Sequence, residues 1–238
     1  MSKFILIETA TQACSVAIAE DNKILVYKEL DEPKAQAAKL APLIEQALNQ
    51  AGVSPKECAA ISVSKGPGSY TGLRVGVSTA KGLCFGANIP LIGVETLTIL
   101  CSEALDQCKD ENTLIVPMLD ARRMEVYTAS YNSKGEKITD TQAMILDENS
   151  FSEEFEQYGT IIFIGDGVEK FKSVLPEDKL AKSNFIPTCP SAKYMVRETL
   201  ERWNKKSHED VAYFEPFYLK EFVAGISKKS DKALFGRD

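Results

Sequence analysis

Residues 58–87 open with Cys58-Ala59-Ala60-Ile61-Ser62-Val63-Ser64, continue through Lys65-Gly66-Pro67-Gly68-Ser69-Tyr70-Thr71-Gly72, and run on from Leu73-Arg74-Val75-Gly76-Val77 to Ala87. The first run is short, apolar and bounded by turn residues; the second is punctuated by glycine and proline; the third has helical spacing. A strand feeding a loop and then a helix is the unit from which α/β folds are built. Gly72, Gly76, Ala80 and Cys84 recur at i+4, a row of small side chains that permits close helix approach. Only Arg74, Ser78 and Lys81 make a polar stripe, so the helix is expected to be buried on more than one side.

The loop admits two readings. Its glycines allow positive φ, the helix start offers N–H groups, and Ser69 and Thr71 add hydroxyls, so it could hold a phosphate. It could equally be a capped strand-to-helix turn. No Gly-Lys-Ser/Thr follows, which excludes a Walker A loop. Thr71 stands at the third glycine position of the dinucleotide fingerprint, with Gly72 one residue later. Ile5-Leu6-Ile7-Glu8-Thr9-Ala10-Thr11 brings Glu8, Thr9 and Thr11 to the end of the first strand, where a sheet of this class opens onto its cleft.

Working outward, Phe4–Thr9, Cys14–Ala19 and Ile24–Leu30 read as an antiparallel meander, with a turn at Asp21-Asn22-Lys23. Residues 34–51 read as a helix with Ala37, Ala41, Ile44 and Leu48 on one stripe and Leu40, Leu43, Ala47 and Ala51 on the next. A strand at Pro90–Val94 and a helix over 96–108 follow, and Asp110-Glu111-Asn112 marks a break. The second half restarts with strands at Leu114–Leu119 and Met124–Tyr131 and an extended stretch near Lys137–Leu146. It then reads as a helix at Phe151–Tyr158, a strand at Ile161–Ile164, a helix to Leu175 and a last helix from Ser191 to Lys205. Two related α/β lobes are expected, 1–109 and a reduced 110–219, with a basic tail at 220–238.

The 238 residues are 44% hydrophobic and 26% charged, the balance of a folded globular chain rather than a disordered or fibrous one. A net charge of −6 lacks the basic footprint of a protein that grips nucleic acid unaided. No apolar run reaches the ~20 residues of a membrane helix, and the start is too short for a secretory core, so a cytoplasmic address is expected. The six cysteines form no Cys-x-x-Cys pair and read as reduced thiols. The single histidine, His208, sits in the polar run Lys-Lys-Ser-His-Glu-Asp, which leaves no metal site built on two imidazoles and argues against a Ser-His-Asp hydrolase.

Asp120-Ala121-Arg122-Arg123-Met124-Glu125-Val126-Tyr127 packs charges between two strands; an ion pair of Arg122 with Asp120 or Glu125 is expected there, contact with a phosphate being the alternative. Taken together and in order, Ile7–Thr11, Lys65–Val77 with Ala80-Lys81-Gly82-Leu83, Ile92–Leu97 and Asp120–Tyr127 resemble the TsaB (YeaZ) family. Pro216-Phe217-Tyr218-Leu219-Lys220 resembles that family's C-terminal motif. The resemblance implies two actin-like, Hsp70-like (ASKHA) lobes and membership of the bacterial complex that transfers threonylcarbamoyl to the tRNA adenosine beside the anticodon. It implies a non-catalytic subunit whose partners are a metal-holding catalytic subunit, TsaD, and an ATPase, TsaE, and which forms a homodimer when alone. It further implies tRNA held only through the complex, no metal or cofactor bound by this chain alone, and ATP or ADP at most at the complex interface.

Three positions depart from the family pattern: Glu8 for Asp, Gln36 for His and Lys220 for Arg. On this reading the partner surface would comprise Ala37, Ala41, Ile44 and Leu48 with Gly72, Arg74, Val75, Gly76, Thr79, Ala80 and Leu83. Gly76→Arg would then block assembly and leave folding intact, unless the small row packs inside the lobe. The rival from another class is a free-standing actin-like nucleotide hydrolase or phosphotransferase using Gly66–Gly72 and Glu8; a peptidase finds no nucleophile constellation.

Overall fold

The structure, a computed structural model, describes residues 1–30 and 36–220; the tail expectation beyond Lys220 and the side chain of Gln36 lie outside the described residues. The meander forms as β1 (Lys3–Glu8), β2 (Cys14–Glu20) and β3 (Lys23–Leu30), with Asp21 at φ 49° in the tight turn. Two parallel strands, β4 (Ala60–Gly66) and β5 (Leu91–Glu95), extend the sheet to the order β3-β2-β1-β4-β5. Phe4, Ile5, Leu6 and Ile7 are all 0% exposed, because central β1 is covered on both faces.

Period-two alternation decides what each face meets. Ile5 and Ile7 point, with Val16, Ile18, Ile61 and Val63, toward two helices, α1 (Gln36–Ala51) and α2 (Tyr70–Ala87). Phe4 and Leu6 point to the other face, where they join Ile99 of α3 (Thr96–Ala104). The remainder of α3 turns to the second lobe: Leu97, Leu100, Cys101 and Ala104 pack with Ile115, Leu119, Ile162 and Ile164. One short helix is therefore core to both lobes.

The second sheet runs β11-β10-β6-β7-β9, with β8 beside β6. Its strands are β6 (Thr113–Asp120), β7 (Glu125–Thr128), β8 (Tyr131–Asn132), β9 (Gln142–Ile145), β10 (Thr160–Ile164) and β11 (Ser183–Ile186). The short helices α4 (Ser152–Gln157), α5 (Val168–Lys172) and α6 (Glu177–Leu180) complete it. Phe163 anchors its core, edge-on to Phe171 at 4.9 Å and to Phe151 at 5.7 Å and stacked on Phe185 at 5.4 Å. Aromatic pairs of this kind add roughly 0.5–1.5 kcal/mol each beyond area burial.

Several elements differ from the sequence reading. The expected strand Met124–Tyr131 divides into β7 and β8, and helix α6 and strand β11 are absent from the reading, the latter because Ser183 and Asn184 break the apolar pattern of a short edge strand. The last helix divides into a 3-10 turn at Ala192–Met195 and α7 (Val196–Asn204). That segment returns to the first lobe: Ala192, Met195 and Val196 pack with Phe4 and Leu6, and the Thr199 hydroxyl donates to Ser62 Oγ at 2.9 Å inside the core. All six cysteines are free, four of them buried.

Candidate functional site

Ligands of α/β sheets bind outside the carboxyl ends of parallel strands, here the ends of β1, β4 and β5. At the end of β1 Glu8 is fully buried; its Oε1 accepts the Ala10 N–H, while Oε2 has no hydrogen-bond partner among the described residues. Burial pushes the Glu8 carboxyl up to about 7, against the lowering effect of the Ala10 N–H, the Ser64 hydroxyl and the Thr9 N–H.

The glycine loop is packed onto this strand end. The Ser69 N–H donates to the Ala10 carbonyl at 2.6 Å, and a Cβ on Gly68 would lie 2.4 Å from that same oxygen. Ser69 caps α2, its Oγ accepting the Gly72 N–H at 3.2 Å and its carbonyl the Leu73 N–H at 2.9 Å. Gly66, at φ 118°, faces the Phe217 carbonyl, which a Cβ would approach to 2.4 Å. The chain's own groups thus take donors a phosphate would need, and the arrangement is that of a capped turn. Of the other residues singled out here, Thr9 and Thr11 are buried and Thr71 is exposed.

The small-residue row faces inward, which corrects its expected role as a partner surface. A Cβ on Gly72 would lie 2.1 Å from the Thr9 carbonyl and one on Gly76 would lie 2.2 Å from Thr9 Oγ1. Ala80, Ile44 and Leu48 are likewise buried in the first-lobe core. The row is small because β1 is close, not because a second chain is.

The outward face of α1 and α2 holds the rest of that set. Ala37, Ala41 and Arg74 are exposed, and Val75, Thr79 and Leu83 are half-buried. Sequence reading missed Phe85, which is 86% exposed, and the flanking Gly82 and Gly86, above which a Cβ would meet nothing within 4 Å. The spacing Ser78, Gly82, Gly86 could have shown a second i+4 row on the opposite face. Between the helices lies an open groove of about 330 Å³ whose lining includes Ala41, Ile44, Leu48, Val53 and Leu83.

The expected ion pair of Arg122 is also corrected. Asp120 pairs with Lys170 at 2.5 Å and Glu125 with Lys220 at 2.5 Å, while Arg122 is exposed and contributes only its backbone N–H to Asp120. Arg122 and Arg123 both have positive φ in the tight turn between β6 and β7. At the interlobe side Glu95 takes Lys137 at 2.6 Å and Lys65 at 3.9 Å. Burial would raise the Glu95 carboxyl, but Lys137 and Lys65 hold it below the usual range.

Among the described residues no group of three His, Cys, Asp or Glu side chains could hold a metal ion, and no helix is long and apolar enough to cross a membrane. A family model described as TsaD: tRNA N6-adenosine threonylcarbamoyltransferase matches residues 33–228. The tRNA threonylcarbamoyladenosine biosynthesis protein TsaB of Escherichia coli K12 is 30% identical over 225 residues, covering 93% of this chain and 96% of that protein. The solved structure of YeaZ from Pseudomonas aeruginosa superposes with a TM-score of 0.76 at 24% identity, over 92% of this chain and all of that one. Component A of (R)-2-hydroxyglutaryl-CoA dehydratase from Acidaminococcus fermentans shares the architecture at a TM-score of 0.52 and 10% identity, over 87% of this chain and 100% of that one. With two mixed sheets flanked by helices in the actin-like arrangement, and with relatives matched along nearly its whole length, the chain belongs to the TsaB (YeaZ) family.

Proposed function

We propose that this chain is a non-catalytic supporting subunit in tRNA threonylcarbamoyladenosine formation, and that it docks a TsaD-like catalytic subunit on the outward face of α1 and α2. The observation that carries this reading is Phe85, a large aromatic 86% exposed on α2, the helix whose Leu83 also lines the apolar groove against α1. Exposed large aromatics anchor protein interfaces, and the open strip over Gly82 and Gly86 admits a partner helix at close range. The only histidine is exposed and stacked on Trp203 at 5.3 Å, away from the sheet ends where chemistry would sit.

Without a TsaD-like partner, the same face would pair two copies of this chain. A TsaE-like ATPase would join the assembled pair, with ATP or ADP held at the shared interface, and tRNA would be held through the complex, in keeping with the net charge of −6. The assembly would work in the cytoplasm. A free-standing nucleotide hydrolase is less well supported, since Ser69, Gly72 and Leu73 N–H groups are already engaged within the chain.

The test is co-purification with the TsaD-like subunit of the same organism. Phe85→Asp should weaken capture at least tenfold, about 1.4 kcal/mol, and lower threonylcarbamoyladenosine in tRNA, with circular dichroism unchanged. Undiminished capture of a folded Phe85→Asp chain would overturn the docking face.

A further inference from the structure

The segment after α7 is fixed along one flank of α2. Glu209 donates its N–H to the Leu91 carbonyl at the start of β5 at 2.9 Å, and Phe217 donates its N–H to the Lys65 carbonyl near the end of β4 at 2.6 Å. Between these points Lys81 donates to the Ala212 and Phe214 carbonyls at 3.1 and 2.9 Å, and Arg74 donates to the Tyr218 hydroxyl at 3.2 Å. The segment therefore runs opposite to α2, with residues 212–214 beside Lys81 and Tyr218 beside Arg74. Both cations of the polar stripe on α2 are used to hold it.

Tyr213 stands out from this segment. Its neighbour Phe214 turns inward to the notch left by Gly93, where a Cβ would lie 2.8 Å from the ring, whereas Tyr213 is 84% exposed. The backbone beneath it is a single turn closed by Asp210, whose side chain accepts the Ala212 and Tyr213 N–H groups at 2.8 and 3.2 Å and whose carbonyl accepts the Phe214 N–H at 2.8 Å. An exposed aromatic on backbone that is already ordered makes a low-cost anchor, because binding freezes little beyond the ring itself.

Helical phase brings Phe85 to the same flank. At about 100° per residue, Phe85 lies about 40° around α2 from Lys81 and one turn further on, whereas Leu83, which lines the groove against α1, lies about 160° from Phe85. Lys81 thus adjoins both exposed aromatics. Two of its N–H donors are already taken by carbonyls, so an apolar partner that covers it strands no bare ammonium.

Tyr213 also lines an open cavity of about 620 Å³ whose charged walls are Glu95, Glu209, Asp210 and Glu215 against Lys65 alone. Glu95 is paired with Lys137 and Lys65, while the other three carboxylates form no ion pair among the described residues. The aromatic flank therefore has an acidic rim.

Resting on the docking reading above, we infer that the C-terminal segment is part of the docking face. Tyr213 is a second aromatic anchor beside Phe85, Lys81 is the residue that positions it, and the TsaD-like partner meets the pair with an apolar helix face bordered by basic side chains that answer Glu209, Asp210 and Glu215. An apolar centre with a complementary charged rim is how specific interfaces are built.

The experiment measures capture of the TsaD-like subunit by the full chain at low and high salt. Tyr213→Ser should weaken capture about tenfold with circular dichroism and melting unchanged. Lys81→Ala should weaken it comparably, and Lys81→Arg should restore most of the loss; if Lys81→Ala does not fold, Tyr213→Ser carries the comparison alone. Glu215→Lys should weaken capture most at low salt and flatten its salt dependence. Loss with Phe85→Asp but none with Tyr213→Ser would overturn the second anchor and leave the docking face on α1 and α2 standing. Loss with Tyr213→Ser but none with Phe85→Asp would overturn the pairing of the two rings. Undiminished capture by both variants would overturn the docking reading and this inference with it. An unchanged salt dependence in Glu215→Lys would overturn the basic border of the partner.

Discussion

Two faces of α2 use glycine in opposite ways. Inward, Gly72 and Gly76 exist so that β1 can come close, and their missing Cβ atoms are replaced by the Thr9 carbonyl and hydroxyl at 2.1 and 2.2 Å. Outward, Gly82 and Gly86 have nothing above them within 4 Å. The same residue is a packing requirement on one side and an open strip on the other. Small side chains in a helix mark close approach, but what approaches is decided by the fold.

The largest expected effect breaks the inward face. Gly76→Arg would force a guanidinium against Thr9 in a closed core, so the variant should lose more than about 4 kcal/mol in urea titration and fail to show a native baseline. A native melting curve would mean the inward assignment is wrong.

Next in size is Glu8, which lies between the two faces of this packing problem at the end of β1. Its folded value of about 7 stands above the ordinary 4.5, so between those limits the folded chain holds more protons than the unfolded one. Stability from this group is therefore complete below pH 4.5 and falls as pH rises to 7. At 1.36 kcal/mol per pH unit the loss is about 3 kcal/mol. Glu8→Gln should flatten this segment of the stability profile, measured by chemical denaturation from pH 4 to 8. An unchanged slope would place the titration elsewhere.

The smallest effect sharpens the comparison from the outward side. Gly82→Ala adds a methyl in open space on a helix interior, so it should stabilise the isolated chain by about 0.5–1 kcal/mol. A loss of stability there would show that Gly82, like Gly72, is crowded.

Much of this organisation is legible in the residues themselves. Phe4–Ile7 is apolar without alternation, and a strand with that pattern has to be central and covered on both sides. Glu8 and the glycine loop both follow strands and so fall at one edge of the sheet, which is why the crevice could be located before its contents were known. The contents were less accessible. Whether Gly68 faces a phosphate or the Ala10 carbonyl depends on a contact between strand ends 58 positions apart in the chain. Arg122 looked like the partner of Asp120 and Glu125 because it is adjacent, but Lys170 and Lys220 reach those carboxylates across 50 and 95 positions.

By itself, then, the sequence determined the strand and helix order of the first lobe, the family, and the absence of a second imidazole, since each of these is local or compositional. Tertiary structure decided which side of α2 is core, where α7 packs, and that residues 209–217 run from the start of β5 to the end of β4. The reason is physical. A helix with small residues on two faces has no hydrophobic contrast strong enough to orient it, and an irregular segment held largely through its peptide groups leaves little periodic trace in its side chains.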